Sequence, residues 1–155
     1  MTELDEGYMH AAIAAAEKAA EDGEVPVGAV IVHNGGIIAE GRNRREYGKN
    51  ALYHAEIEAI NAACKTLGGW RLINCSMYVT LEPCPMCAGA IINSRIERVV
   101  FGAYDKKAGS AGSLVNLFDM PFNHRPEYTG GVLENECAAQ LSAFFEKLRE
   151  KKQKQ

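Results

Sequence analysis

Apolar positions recur at spacings of three and four over residues 5–22, where Tyr8, Ala12, Ala15 and Ala19 predict an amphipathic helix that Gly23 ends. Two apolar runs follow, Val27–Val32 and Ile37–Ala39, flanking Asn34-Gly35-Gly36, whose residues tolerate positive φ. That arrangement predicts a β-hairpin. Residues 42–53 show neither period and read as loop. Helical spacing returns over residues 54–67 through Ile57, Ile60, Cys64 and Leu67, and Gly68-Gly69 closes it. Met77–Leu81 reads as a buried strand broken by Pro83, Cys84–Asn93 as a helix and Arg98–Phe101 as a strand. Residues 102–113 are Gly-rich loop, followed by a short helical stretch around Leu114–Phe118 and a strand near residues 127–133. Residues 135–152 form the last helix, with Cys137, Leu141, Phe144, Phe145 and Leu148 expected on its inward side. A helix, a hairpin and then alternating helices and strands predict a three-layer α/β/α fold on a mixed sheet of about five strands. With no repeat or linker, residues 1–155 are expected to be one domain.

Composition narrows the class. The 155 residues are 47% hydrophobic and 24% charged, which excludes a disordered polymer. No apolar run is long enough to cross a bilayer, and the acidic start, Met1 to Glu6, is unlike a basic secretory leader, so a cytoplasmic protein is expected. The net charge of −3 is uneven. Residues 147–155 carry +4, leaving 12 basic and 19 acidic side chains, a charge of −7, on the other 146 residues. There is no global basic field for a polyanion, and the basic tail also reads as a solvated helix end.

Five cysteines cannot all pair within one chain, and cytoplasmic thiols stay reduced, so closely spaced ones point to metal or redox chemistry. Cys84 and Cys87 stand three apart at a helix start, on one face, where the helix N-terminus favours thiolates. His54, opening the preceding helix, would complete a Cys₂His set. That donor set suits zinc, and three protein ligands leave the fourth position open, as in catalytic sites. Glu56 is then the proton handler, provided His54 lies at the very start of its helix and the longer Glu56 stem reaches in. Two other readings stay open. Cys-x-x-Cys after a strand is also a thioredoxin-type redox signature, and a fourth ligand from Cys64, Cys75, Cys137 or His124 would make a closed structural site. Cys64, Cys75 and Cys137 also read as small core residues, and His10 and His33 as surface residues.

His54-Ala-Glu56 paired with Pro83-Cys-Pro-Met-Cys87 is the zinc nucleobase deaminase signature. Glu24-Val-Pro-Val-Gly-Ala-Val30, Gly41-Arg-Asn43, Trp70-Arg-Leu72, Ser94-Arg-Ile96 and Asn123-His-Arg125 extend the likeness over about residues 5–150. The chain resembles the bacterial tRNA adenosine deaminase family. The resemblance implies a cytidine-deaminase-like fold, a homodimer, one Zn2+ per chain, and conversion of adenosine to inosine at the wobble position of a tRNA anticodon loop. It implies His54, Cys84 and Cys87 as ligands, Glu56 as general acid and base, and Asn43, Ala55, Asp105 and Asn123 as substrate contacts. Tyr53, Tyr104 and Glu146 depart from the family's usual residues and bear on the substrate. A deaminase of a free nucleobase or nucleoside is the alternative, since the same signature serves both.

Overall fold

The computed structural model describes residues 2–154. The chain runs α1 (Glu3–Glu21), β1 (Gly28–His33), β2 (Gly36–Arg42), α2 (Ala55–Leu67), β3 (Cys75–Leu81), α3 (Pro85–Asn93), β4 (Arg98–Ala103), a 3₁₀ turn (Leu117–Asp119), β5 (Glu127–Thr129) and α4 (Glu134–Gln153). The sheet order is β2-β1-β3-β4-β5. β1 pairs antiparallel with β2 and β3, whereas β3–β4 and β4–β5 are parallel. The expected mixed five-stranded sheet is therefore present.

Alternation along the three central strands builds both cores. Ala29, Ile31, Met77, Val79, Val99 and Phe101 face one way and pack with Ala55, Ala59, Ala63, Ala88 and Ile91 of α2 and α3. Val30, Val32, Tyr78 and Val100 face the other way and pack with Met9 and Ala12 of α1 and Cys137 of α4. Helices thus cover both faces, as parallel strands require. The hairpin turn forms as expected, with Asn34 at φ 51° and Gly35 at φ 79°.

One helix face differs from expectation, and on another the deepest burial falls on small residues. The fully buried apolar residues of α2 are Ala55, Ala59 and Ala63; Ile60 and Cys64, which set its period, pack half-buried against the same core, Ile57 is half-buried and Leu67 exposed. The cause is a close approach. A Cβ on Gly41 of β2 would sit 2.2 Å from the Ala55 carbonyl oxygen and 2.5 Å from the Ala59 amide nitrogen, leaving room only for methyl groups. On α4, Cys137 alone is fully buried. Leu141 and Phe144 are half-covered, and Phe145 and Leu148 are exposed because the helix runs past the end of its contact with the sheet. Smaller differences lie at element ends. β2 continues to Arg42, β4 continues through Ala103, the helical turn near residue 114 starts at Leu117, and β5 spans three residues. Of the cysteines read as core, Cys75 and Cys137 are buried and Cys64 is half-buried.

Asp5 ties the first helix to the sheet. Buried at 2% exposure, its carboxylate accepts from Arg98 Nη1 at 2.8 Å, Arg98 Nη2 at 3.0 Å and the Tyr78 hydroxyl at 2.7 Å. It also shares a capping box with Thr2. The Arg98 guanidinium holds the Asp5 carboxyl well below its ordinary value of 3.8. A depressed carboxylate contributes stability in full above that ordinary value and loses it as pH falls toward the folded one. Asp5→Asn is expected to cost about 3 kcal/mol at neutral pH and to flatten the fall in stability below about pH 4. Denaturant melts of both proteins across that range check both effects.

Candidate metal centre and active-site cleft

The loop over residues 43–54 delivers the chain to the N-terminus of α2, and β3 delivers it through Glu82-Pro83 to the N-terminus of α3. His54 is the N-cap of α2 (φ −81°, ψ 154°) and Cys84 the N-cap of α3 (φ −76°, ψ 173°). Neither side chain caps its own helix, unlike the Ser, Thr, Asp or Asn usual there. Both are left free to meet each other. Pro85 occupies the first turn of α3, where no amide donor is needed, and Cys87 follows it on the same turn.

His54 Nδ1 lies 3.6 Å from Cys84 Sγ and 3.6 Å from Cys87 Sγ, and the three atoms fall within 4.8 Å of one another. A tetrahedral ion with metal–sulfur bonds of about 2.3 Å and metal–nitrogen bonds of about 2.05 Å would hold sulfur and nitrogen about 3.6 Å apart. The donor set therefore fits zinc in both chemistry and spacing. Among the described residues no fourth Cys, His, Asp or Glu joins the set. His124, one of the alternatives for a closed site, instead turns its Nε2 to the Ile96 carbonyl at 2.6 Å.

Electrostatics separate the two sulfurs. A hydrogen bond from Cys87, with a further contribution from His54, pulls the Cys84 thiol down to about 4. Cys87, donating that bond and fully buried, is pushed up. The bond with Cys84 raises the His54 imidazole. Glu56 sits on the first turn of α2 and is 4% exposed. Burial, reinforced by the neighbouring Cys84, pushes its carboxyl up to about 7, so it can both accept and donate a proton near neutral pH.

His54, Glu56 and Cys84 line a cleft of about 170 Å³ whose walls include Val25, Val27, Asn43, Leu81, Asp105 and Ala108. Asn43 is 8% exposed; its Nδ2 donates to the Val25 carbonyl at 3.2 Å and its Oδ1 accepts from the Arg45 amide at 3.1 Å. One amide hydrogen and one lone pair remain for a ligand. Asp105 Oδ1 accepts from the Lys107 and Ala108 amides and shapes the facing loop. His54, Ala55, Glu56, Cys84, Asn43 and Asp105 thus meet in one place. Asn123 does not line the cleft. It is exposed in the loop before β5. Tyr53 packs under the Arg44 guanidinium, 5.5 Å from its ring centre, and Tyr104 stacks edge-on against Phe101 at 5.2 Å. Sequence reasoning missed Arg45, Leu81, Glu82 and Ala108 as wall residues, although Glu82 directly precedes the Pro-Cys pair. A separate apolar groove of about 450 Å³ lies on the outer surface of α2 and α3 and includes Leu52, Ile57, Met86, Ile92, Leu117 and Phe122. It holds no titratable side chain.

Residues 2–103 match the family described as the cytidine and deoxycytidylate deaminase zinc-binding region. The tRNA-specific adenosine deaminase of Bacillus subtilis is 57% identical over 149 residues, covering 96% of this chain and 92% of that protein. A solved structure from a study of A-to-I editing by tRNA:A34 deaminases at the wobble position superposes with a TM-score of 0.84. It is 43% identical, over 86% of this chain and 98% of that one. The guanine deaminase of Bacillus subtilis superposes with a TM-score of 0.64 at 36% identity, over 92% of this chain and 94% of that one. The five-stranded α/β fold is shared with the tRNA:A34 deaminase structure.

In metal-stripped protein, Cys84 is expected to alkylate readily at pH 6, whereas Cys137, which burial pushes up to about 12, stays unmodified. Peptide mass spectrometry after a brief iodoacetamide pulse measures the difference.

Proposed function

The chain belongs to the cytidine and deoxycytidylate deaminase zinc-binding family, and from that premise we propose that it converts adenosine to inosine at the wobble position of a tRNA anticodon. The observation that carries this reading is His54 Nδ1 held 3.6 Å from both Cys84 and Cys87 sulfurs, with the Glu56 carboxyl buried beside them in a cleft. His54, Cys84 and Cys87 would hold one zinc ion. Bound there, zinc supplies a Lewis acid that makes water a competent nucleophile near neutral pH.

Glu56 takes the proton of the attacking water, delivers it to the purine N1 as C6 becomes tetrahedral, and then assists protonation of the departing ammonia. Its raised carboxyl suits both directions of transfer. Asn43 meets the base edge with its spare donor and acceptor, and the Ala55 backbone lies on the same wall. Val25, Val27 and Leu81 exclude water around the ring. Asp105 orders the opposite wall, and Asn123, outside the cleft, would reach neighbouring nucleotides. A base inside a helical stack cannot present C6 to this floor, so an unpaired, splayed loop nucleotide is the fitting substrate.

Charge supports a polynucleotide over a free base. Lys107, two residues beyond Asp105, lines a groove of about 590 Å³ with Phe145, Arg149 and Lys152 of α4. The basic tail thereby lies beside the loop that walls the cleft, and cations there supply phosphate affinity that the acidic body lacks. The exposed apolar groove of α2 and α3 supports a homodimer, with a second copy covering Leu52, Ile57 and Phe122. Among the described residues no helix is long and apolar enough to cross a membrane. A tRNA substrate supports a cytoplasmic setting.

Glu56→Gln is expected to lower inosine formation in an anticodon stem-loop by about 10³-fold while zinc stays at one per chain. His54→Ala is expected to lose metal and activity together. Elemental analysis alongside nucleoside chromatography measures both. Ammonia released from free guanine, with the stem-loop untouched, would assign the free-base alternative instead. Sedimentation at micromolar concentration as a monomer would remove the dimer.

A further inference from the structure

Glu82 is a buried carboxylate, 2% exposed, with no part in the proton transfers above. It stands at the end of β3, immediately before Pro83 and Cys84. All of its side-chain hydrogen bonds go to one loop. Oε1 accepts from the Asp105 amide at 3.1 Å and from the Ser113 hydroxyl, and Oε2 accepts from the Ala111 and Ser113 amides at 3.0 Å each. The Pro83 carbonyl, one residue on, accepts from the Ser110 amide at 2.9 Å. A Cβ on Gly109 would sit 2.3 Å from the Asp105 carbonyl oxygen within the loop and 2.5 Å from the Glu82 carboxylate, so the loop lies directly against that carboxylate. This loop carries Asp105 and Ala108, the cleft wall facing His54 and Glu56.

We propose that Glu82 is a positioning residue that fastens the 105–113 loop to the turn bearing Cys84, so that the cleft wall and the metal-bearing turn form one rigid unit and set the fit of the base. The proposal rests on the deaminase reading for its substrate but not for its mechanics. Four donors on two oxygens require a carboxylate. A glutamine at this position turns an NH2 group toward two of them, and donors then face donors. The effect belongs on binding of the base, not on the chemical step, because neither Glu56 nor a metal ligand is touched by Glu82.

The test uses the zinc-loaded chain and an anticodon stem-loop. Glu82→Gln is expected to keep one zinc per chain, to raise KM about tenfold with kcat within about threefold, and to speed amide exchange at Asp105, Ala111 and Ser113 on the order of 100-fold. Ser113→Ala, which removes one of the four donors and leaves the carboxylate in place, is expected to shift both readouts in the same direction by a smaller factor, and it decides the matter if Glu82→Gln does not fold. Unchanged KM in the folded variants, or kcat falling as far as kcat/KM, overturns the assignment, as does slow wild-type-like exchange at those three amides. Absence of inosine with wild-type protein would instead overturn the substrate reading, and the exchange measurement would still judge the clamp.

Discussion

Two helix N-termini aimed at one point are the constraint on which the rest of this protein depends. α2 and α3 each begin with a side chain that declines to cap its own helix, and the freed imidazole and thiol meet at 3.6 Å. Helix dipoles favour negative charge at such ends, which suits a pair of thiolates around a cation. The approach of α2 to β2 at Gly41 sets where His54 falls, and Pro85 sets the first turn of α3. A side chain at Gly41 would push the start of α2 away by more than a metal bond tolerates.

Four acidic side chains are buried, and their surroundings sort them by task. Asp5 is met by Arg98 and Tyr78, and Glu24 by the amides of Glu46 and Tyr47 at 3.0 and 2.6 Å. Glu82 is met by four donors of one loop; burial opposes its ionisation, but those bonds outweigh it and lower its carboxyl. Glu56 has no such set. Burial therefore dominates and raises it, which is the condition for a group that must take and give the same proton. Three carboxylates fasten structure, and the one without a full set of donors is left for chemistry.

Much of this was legible along the chain. The strands and helices, the mixed sheet and the pairing of His54 with Cys84 and Cys87 follow from periodicity and spacing. The depth of burial along α2 and the inward face of α4 were not. Periodicity ranks residues by apolarity, and on α2 it did not single out Ala55, Ala59 and Ala63, the apolar residues buried most deeply. On α4 it placed Phe145 and Leu148 inward beyond the reach of the sheet. The wall residues Arg45, Leu81 and Ala108 carry no local signature, since what makes them wall is the loop lying opposite.

The amino-acid order by itself determined the identity of the donor atoms, the elements that carry them and the family, because ligand chemistry and helix starts are local properties. Tertiary packing decided which faces are buried, how high the Glu56 carboxyl is raised, and that Glu82 holds the far wall. Those depend on distances between segments tens of residues apart, and no local pattern encodes them.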